Sequence, residues 1–413
     1  MAEKDNSSSE TPSLILSLPE EVIIDILARV SRWVYPTLSL VSKQFRSLVV
    51  SPDLYARRSL LGCTEDCLYN LFYERETGLR HWCILLPEAN GNRRLVRIPL
   101  LPALTHGESF VAVGSKIYMF GGTTMSAFSI DCRSHTVEPL PSMPVPMLNT
   151  MAGIIDEKIY VMGRFYDYKN GIMVFNTKTQ MWEPEVLNGE EQRQDPGLDY
   201  LVFDWVVMYD KMYVRDHIEC SVYDPKENRW RPEGILSSKD WKNACVIDDI
   251  LYHGFSVYGN YNLCTYDPKL RCWGLVKGLG KLLSGMCWIH AANYGGKLVL
   301  FFAKAIFDGR RNVTSSKEIC CVEISLERRQ GGEIWGKVEW SGQRPEFNNK
   351  FHTGFSNLIH WLALSPSRTL RHSKSIPNLR FSHKYKGHEK LKKCSQFSLH
   401  CAADGIQGQE RMS

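Results

Sequence analysis

The sequence lacks any run of about 18 apolar residues, the length that a membrane-spanning helix needs, so no such helix is expected. Its first ten residues are polar and include Glu3 and Asp5, and they lack the basic and then apolar order of a secretory signal peptide. Its 13 cysteines form no CxxC pair, so neither a disulfide framework nor a zinc site is expected. These absences favour reduced thiols and a location in the cytoplasm, the nucleus or both.

Sequence motifs of catalysis are also missing. There is no GxxxxGK[ST] or GxGxxG motif for phosphate groups, no GxSxG motif of a serine hydrolase and no HExxH motif of a zinc protease. We therefore expect no catalytic residues, no cofactor and no metal ion, and we expect the chain not to be an enzyme.

The charge of the chain is distributed unevenly. The net charge is +5, but residues 341–413 hold 12 Lys and Arg against 4 Asp and Glu, which gives +8, so residues 1–340 carry −3. The near-neutral body does not predict a nucleic-acid-binding surface. The basic tail is rich in Ser, Lys, Arg and His and lacks strand alternation, so we expect it to be disordered, with RNA, acidic protein or a nuclear import receptor as possible contacts.

The first sixty residues have the spacing of three short helices. After a polar lead, Ile23, Ile26, Leu27 and Val30 form one apolar stripe, and Ser17 followed by Glu20 predicts the helix start. A second helix is predicted from Pro36, with apolar residues at Leu38, Val41, Phe45 and Leu48, and a third begins at Ser51-Pro52 and ends at Gly62. Three helices of this size cannot bury all of these side chains, so part of the apolar surface meets another domain or chain.

The same residues resemble an F-box. Four blocks occur in order: Leu18-Pro19, Ile26-Leu27, Leu38-x-x-Val41-Ser42-Lys43-x-Phe45-Arg46 and Ser51-Pro52-x-Leu54. An F-box docks on a Skp-type adaptor, which sits on a cullin–RING ubiquitin ligase. The resemblance implies that seven side chains lie at or beneath the adaptor interface: Leu18, Pro19, Ile26, Leu27, Leu38, Val41 and Phe45.

A repeat runs through residues 110–340. Three segments place a Trp seven positions after an aromatic residue, namely Phe175 to Trp182, Tyr223 to Trp230 and Tyr266 to Trp273, with an Asn or Asp and a polar turn between them. We predict that the Asp of each Tyr-Asp-Pro segment caps its turn and that the Trp side chains pack blade against blade. A second strand recurs around Ile117, Ile159, Met212, Leu251 and Leu298, at intervals of 42, 53, 39 and 47 residues.

These segments resemble degenerate kelch repeats, of which only the first keeps a double glycine, Gly121-Gly122. The resemblance implies a β-propeller, and we expect five or six blades. An F-box followed by kelch repeats is an arrangement familiar from plants. Cys67–Tyr73 and His81–Leu86 have the pattern of a hairpin from one more partial blade. We find no convincing closing strand after Ser341, so either residues 67–86 close the ring or the last blade is incomplete.

The predicted fold is thus a small all-α F-box domain followed by an all-β kelch propeller. The domain boundaries we expect are a disordered lead 1–13, an F-box 14–61, a connector with a possible partial blade 62–109, a propeller 110–340 and a disordered basic tail 341–413.

The resemblance implies a substrate adaptor for ubiquitin ligation. Its partners would be a Skp-type adaptor, through it a cullin–RING ligase, and an unidentified target protein held by propeller loops. The loop candidates are 164–171, the acidic stretch 185–200 and 215–217, with Arg164, Tyr166, Asp167, Arg215 and His217 as candidate target-binding residues.

Two alternatives stay open. One is a kelch scaffold that binds partners without any ligase. The other is a propeller enzyme, because some kelch propellers are copper oxidases, and Tyr252, His253 and His290 could supply ligands. Nothing in their spacing singles these three residues out.

Overall fold

The protein divides into two compact units, a helical unit up to Asp66 and a strand unit over Cys67–Leu364. The computed structural model describes residues 18–74, 77–87, 91, 93–104, 108–121, 125–165, 170–184, 187–188, 204–215, 219–257, 260–280, 282, 286–307, 313–343 and 361–364. Among these residues, no helix is both long and apolar enough to cross a membrane.

From residue 18 onward, the helical unit contains four short α-helices and one 3-10 turn, Arg32–Val34. The helices are α1 (Glu20–Arg29), α2 (Tyr35–Leu38), α3 (Lys43–Leu48) and α4 (Pro52–Leu60). The predicted start of α4 is confirmed, because the Oγ of Ser51 accepts a hydrogen bond from the Leu54 N–H. Pro19 occupies the position just before α1 and provides no side-chain cap, while Ser17, the predicted cap, lies outside the described residues.

The predicted second helix is wrong as a single element. The chain forms α2, then a turn over residues 39–42, and then α3. Ser42 is extended, with φ −157° and ψ 165°, and its Oγ accepts a hydrogen bond from the Phe45 N–H, so it caps α3. An apolar spacing of three and four residues therefore continues across a capped break, which the periodicity alone did not reveal.

The strand unit is built from strands of 2 to 16 residues that mostly pair with their neighbours in the chain. The first twelve strands are β1 (Cys67–Glu74), β2 (Leu79–Pro87), β3 (Arg93–Arg97), β4 (Glu108–Val113), β5 (Lys116–Gly121), β6 (Ala127–Asp131), β7 (Thr136–Pro139), β8 (Leu148–Ile155), β9 (Lys158–Arg164), β10 (Asn170–Asn176), β11 (Met181–Trp182) and β12 (Leu187–Asn188). They are followed by β13 (Asp204–Met208), β14 (Lys211–Arg215), β15 (Cys220–Asp224), β16 (Arg229–Pro232), the short helix α5 (Gly234–Ser237), β17 (Cys245–Ile247), β18 (Ile250–Val257), β19 (Asn260–Asp267), β20 (Cys272–Lys277), β21 (Met286–Tyr294), β22 (Lys297–Phe307), β23 (Val313–Arg328), β24 (Ile334–Gln343) and β25 (Trp361–Leu364).

Within the described ranges, these strands make six blades of a propeller. Blade 1 is β25-β1-β2-β3, blade 2 is β4 to β7, blade 3 is β8 to β11 with β12 also on β10, blade 4 is β13 to β16, blade 5 is β17 to β20 and blade 6 is β21 to β24. The first strand of each blade contacts the first strand of the next, from β4 through β8, β13, β17 and β21 to β25 and back to β4. The ring is therefore closed, and the predicted propeller of five or six blades is confirmed with six.

Ring closure comes from both ends of the strand unit. The predicted hairpin forms as β1 and β2, with Leu68 opposite Leu85 and Phe72 opposite His81. The innermost strand of the same blade is β25, which pairs antiparallel with β1 from Cys67 opposite Leu364 to Asn70 opposite Trp361. The expectation that no closing strand follows Ser341 is thus wrong, since both β25 and the end of β24 lie beyond that point.

The repeated Trp residues pack between blades, as predicted. In each copy the centre of the Trp ring lies 5.2 Å from the ring centre of an aromatic residue in the same blade. The partner is Phe175 for Trp182, Tyr223 for Trp230 and Tyr266 for Trp273. The indole N–H of Trp182 reaches the Pro141 carbonyl next to blade 2, at 2.8 Å. The three Trp residues contact core clusters that each combine two neighbouring blades.

The predicted turn-capping role of the repeated Asp is also confirmed, and the Asn in the same position of the first copy acts alike. A side-chain oxygen of Asp224 accepts the Lys226 N–H at 3.0 Å, and one of Asp267 accepts the Lys269 N–H at 2.9 Å. Asn176 does the same for Lys178 at 2.9 Å. These residues hold the turn between the third and fourth strands of a blade, which gives each of them a structural role.

One glycine, Gly278, lies at the contact between blades 5 and 6. Their outer strands β20 and β24 pair in parallel, and Gly278 follows β20 with φ +88°. A Cβ at this position would lie 2.7 Å from the Gly336 carbonyl oxygen, so both the backbone and the packing require glycine. We expect Gly278→Ala to cost about 3 kcal/mol and to lower the midpoint of thermal unfolding by about 8 °C.

Gly280→Ala is the matched control for this substitution. A Cβ at Gly280 meets nothing within 4 Å. Circular dichroism melts should therefore give a lower midpoint of thermal unfolding for Gly278→Ala than for Gly280→Ala. Equal midpoints would contradict the requirement for glycine at position 278.

Candidate partner-binding surfaces

The helical unit has a small core that fixes its exposed side chains. Leu27 of α1 and Phe45 of α3 are 3% and 6% exposed and share one cluster with Leu54 of α4 and five other side chains. Leu38, which is half-buried, packs against the same cluster. Three of the seven predicted interface residues, Leu27, Leu38 and Phe45, therefore stabilise the helical unit by packing in or against its core.

A buried arginine ties the helices together through their polar groups. Arg58 of α4, 2% exposed, donates hydrogen bonds to the Ala28 carbonyl at 3.1 Å and to the Tyr35 hydroxyl at 2.8 Å. The Tyr35 hydroxyl in turn donates to the Leu27 carbonyl at 2.8 Å, and burial raises the pKa of Tyr35. Arg58 also pairs with Glu65, so its charge is compensated. The end of α1 is thereby locked to α2 and α4.

Over this core, several large apolar side chains are exposed. On and just before α1 they are Leu18 at 37%, Val22 at 42% and Ile26 at 46% exposure. In the turn between α2 and α3 they are Leu40 at 77% and Val41 at 63%. We call these five residues the apolar docking set. Aliphatic side chains fixed in this way on a rigid support are the anchors that helix-face recognition uses.

The sequence prediction and the docking set overlap in part. Leu18, Ile26 and Val41 are exposed as an interface requires, and so is Pro19. Val22 and Leu40 are exposed as well but were not among the predicted residues. Val22 lies four residues before Ile26 and so shares its helix face, a spacing that could have identified it.

The candidate target-binding residues Arg164 and Arg215 occupy equivalent places in neighbouring blades. Arg164 ends β9 and Arg215 ends β14, each the second strand of its blade. Because strands alternate in direction within a blade, the two residues lie on the same face of the propeller. Arg164 is half-buried, and Arg215 pairs with Asp240. Three further candidates lie outside the described residues: Tyr166, Asp167 and His217.

Asp240 belongs to the linking segment, residues 233–244, which runs from blade 4 to blade 5. The fully buried Trp241 fixes this segment to blade 4, since its indole N–H donates to the Cys220 Sγ at 3.2 Å. The Asn243 N–H donates to a carboxylate oxygen of Asp204 at 2.9 Å. The Nδ1 of His253 in blade 5 lies 3.1 Å from the Lys242 carbonyl and is therefore its donor. The segment is held from both sides.

Two titratable groups under this segment have shifted pKa values. Burial raises the pKa of Asp204 to about 7, with the neighbouring Asp240 adding to the rise. Burial lowers the pKa of His253 to about 4, so this imidazole is neutral near pH 7. Near pH 7 the segment thus covers a partly protonated carboxyl and a neutral imidazole.

The described residues do not assemble the alternative copper site. Tyr252 and His253 are consecutive in β18, so their side chains leave opposite faces of the sheet, and His290 lies on β21 of the next blade. In the part of the chain that the structure describes, no group of three His, Cys, Asp or Glu side chains could hold a metal ion.

The raised pKa of Asp204 predicts a pH-dependent stability. The native state favours the protonated carboxyl, so this group's stabilisation is complete below pH 4 and is lost as the pH rises to about 7. We expect Asp204→Asn, which keeps an oxygen for the Asn243 N–H, to raise the midpoint of thermal unfolding by about 5 °C at pH 8. At pH 5 the gain should fall to less than half. Asp210→Asn, at an exposed aspartate that pairs with Lys226, should leave the midpoint unchanged at both pH values.

Comparisons with known proteins agree with a helical unit followed by a strand-rich kelch region. The family model described as "F-box domain" matches residues 15–57, and the one described as "FKB95, Kelch-repeats domain" matches residues 82–343. These matches define the class, a protein with an F-box and kelch repeats, and such a composition supports in general a substrate-adaptor role in ubiquitin ligases of the Skp–cullin–F-box type.

Curated relatives place the chain more narrowly. It is 43% identical over 353 residues to "F-box/kelch-repeat protein At4g38940" of Arabidopsis thaliana, covering 80% of this chain and 91% of that protein. It is 36% identical over 368 residues to "Putative F-box/kelch-repeat protein At3g10510" of the same plant, covering 82% and 95%. The chain belongs to the F-box/kelch-repeat family.

Proposed function

We propose that this chain is the substrate-recognition subunit of a Skp–cullin–F-box ubiquitin ligase. The helical unit binds the Skp-type adaptor through the apolar docking set, and the propeller binds the target protein. The observation that carries the proposal is the exposure of Ile26 and Val41, at 46% and 63%, above a core in which Leu27 and Phe45 are buried. An isolated soluble unit gains nothing from keeping such side chains in water.

The mechanism of this subunit is tethering. By holding the target and the adaptor at once, the chain raises the effective concentration of target lysines near the conjugating enzyme to about the millimolar range. Ubiquitin transfer itself belongs to other subunits, so the chain requires no nucleophile or general base of its own. This is consistent with the structural roles found above for the repeated Asp and Trp residues.

Target binding is proposed for the propeller face that carries Arg164 and Arg215. Arg215 is held by its ion pair with Asp240, and the linking segment that carries Asp240 is itself fixed between blades 4 and 5. A positioned guanidinium loses little conformational freedom on binding, which favours it as an anchor. Loops on such a fixed scaffold are the usual location of recognition residues.

Quantitative capture tests both halves of the proposal. The full chain is purified from cells with the proteasome inhibited, and the proteins bound to it are measured by mass spectrometry. We expect a Skp-type adaptor and a cullin together with at least one further protein. The double variant Arg164→Ala and Arg215→Ala should keep the adaptor and lose the further protein.

Arg231→Ala is the control for this experiment. Arg231 is exposed on the outer strand β16, where it pairs with Glu227. Its substitution should therefore leave the captured amounts of the Skp-type adaptor and of the further protein unchanged. Bound propeller partners without any Skp-type adaptor would contradict the ligase role and indicate a scaffold. A target retained by the double variant would contradict the assignment of this face.

A further inference from the structure

A lysine and a cysteine meet where the linking segment lies on blade 5. The Nζ of Lys239, in the linking segment, is 3.7 Å from the Sγ of Cys264, in the middle of β19. The same Nζ lies 5.0 Å from the ring centre of Phe255 and 5.5 Å from that of Trp273. The half-buried lysine is therefore confined by two aromatic rings and directed at a sulfur atom.

This contact is held in place by its surroundings. Cys264 is fully buried, and its strand pairs with His253 of β18 on one side and Leu275 of β20 on the other. The linking segment is attached to blade 5 a few residues earlier, since the Trp273 indole N–H donates to the Ile235 carbonyl at 3.0 Å. These contacts hold Cys264 in its strand and keep the backbone of the linking segment close to blade 5.

We propose that Lys239 and Cys264 are the site of a covalent N–O–S crosslink that forms under peroxide. This assignment is independent of the ligase function and of the target-binding face. Its basis is the enforced proximity of an amine and a thiol, because two groups held in contact react as if at very high concentration.

The chemistry needs hydrogen peroxide as the oxidant. The Cys264 sulfur attacks one oxygen of a peroxide molecule, and the O–O bond breaks. The thiol becomes a sulfenic acid, S–OH, and one water is released. The Lys239 nitrogen, after losing its ammonium proton to solvent, attacks a second peroxide in the same way and becomes a hydroxylamine, N–OH. The hydroxylamine oxygen then attacks the sulfenic sulfur, the O–S bond forms and the sulfenic hydroxyl leaves as water. In total, two peroxides are consumed and three waters and one proton are released.

The crosslink would tie the linking segment covalently to blade 5. The expected consequence is a more stable junction between blades 4 and 5, because a covalent bridge removes conformational freedom from the unfolded chain. We expect the midpoint of thermal unfolding to rise by about 5 °C after peroxide treatment and to return after reduction with dithiothreitol.

Mass spectrometry of the full-length protein tests the assignment. After peroxide treatment, we expect peptides containing Lys239 and Cys264 to be joined with a mass gain of about 14 Da, because one oxygen is added and two hydrogens are lost. Dithiothreitol should release the two peptides. Lys239→Arg keeps the positive charge but removes the amine, and Cys264→Ser keeps the size but removes the sulfur, so each should abolish the joined peptide.

Lys226→Arg is the matched control, since Lys226 lies in the same region of the sequence but pairs with Asp210 and should leave the crosslink unchanged. Three results would overturn the proposal. These are a gain of about 16 or 32 Da on Cys264 without a joined peptide, an unmodified Cys264 at peroxide levels that oxidise the exposed Met181, and a joined peptide that persists in Lys239→Arg.

Discussion

Replacing Ile26 with aspartate is expected to weaken binding of the Skp-type adaptor by at least about 100-fold while leaving the helical unit folded. The side chain is 46% exposed and makes no part of the buried cluster, so the free protein tolerates a charge there. In the complex, however, the carboxylate would be buried against an apolar partner surface without a counter-charge. Isothermal titration with purified adaptor measures the affinity, and circular dichroism measures the fold.

Leu27→Asp shows how the loss of a core residue differs from the loss of an interface residue. Leu27 is the next residue in α1, and at 3% exposure it lies in the core. Its substitution should unfold the helical unit, at a cost of about 4 kcal/mol, so binding would be lost together with structure. Leu270→Asp, at a side chain 63% exposed in a propeller turn, controls for an added surface charge. Unchanged binding by Ile26→Asp would show that this face of α1 is not the adaptor site.

The features that the sequence predicted are those encoded within a few consecutive residues. A turn closed by Asp267 and a Trp273 that packs on Tyr266 need only one short segment, and the segment recurs at a kelch-like interval. The repeat therefore revealed the propeller even though each copy is degenerate. The same holds for the Ser51 cap of α4.

The features that the sequence missed depend on neighbours distant in the chain. Helical periodicity marked both Ile26 and Leu27 as apolar, but only the packing of α2 to α4 on α1 shows that one is exposed and the other is buried. The contact between Lys239 and Cys264 arises from the path of the linking segment over blade 5, which no local pattern encodes. Side-chain partners of this kind follow from tertiary structure alone.

The closing strand is the clearest case of a missed element. β25 is only four residues long, and it lies in a basic region without strand alternation. Its backbone pairing partner, β1, lies near the opposite end of the strand unit. A strand this short becomes recognisable only when the ring presents an unpaired edge for it to complete.

Removing β25 is therefore expected to have the largest effect on the propeller. A chain ending at Gln343 loses the innermost strand of blade 1, which pairs with β1 and contacts the first strands of blades 2 and 6. We expect the midpoint of thermal unfolding to fall by about 10 °C or more and the exposed edge of β1 to promote aggregation.

The matched control for this truncation is a chain ending at Thr369, which keeps β25 and lacks most of the basic tail. It should melt like the full chain, because the pairing from Cys67 opposite Leu364 to Asn70 opposite Trp361 is retained. Differential scanning calorimetry and light scattering of the two truncations distinguish the explanations. If the chain ending at Gln343 has the same midpoint of thermal unfolding as the chain ending at Thr369, the ring closes without β25. The stability of the propeller then comes from packing between blades alone.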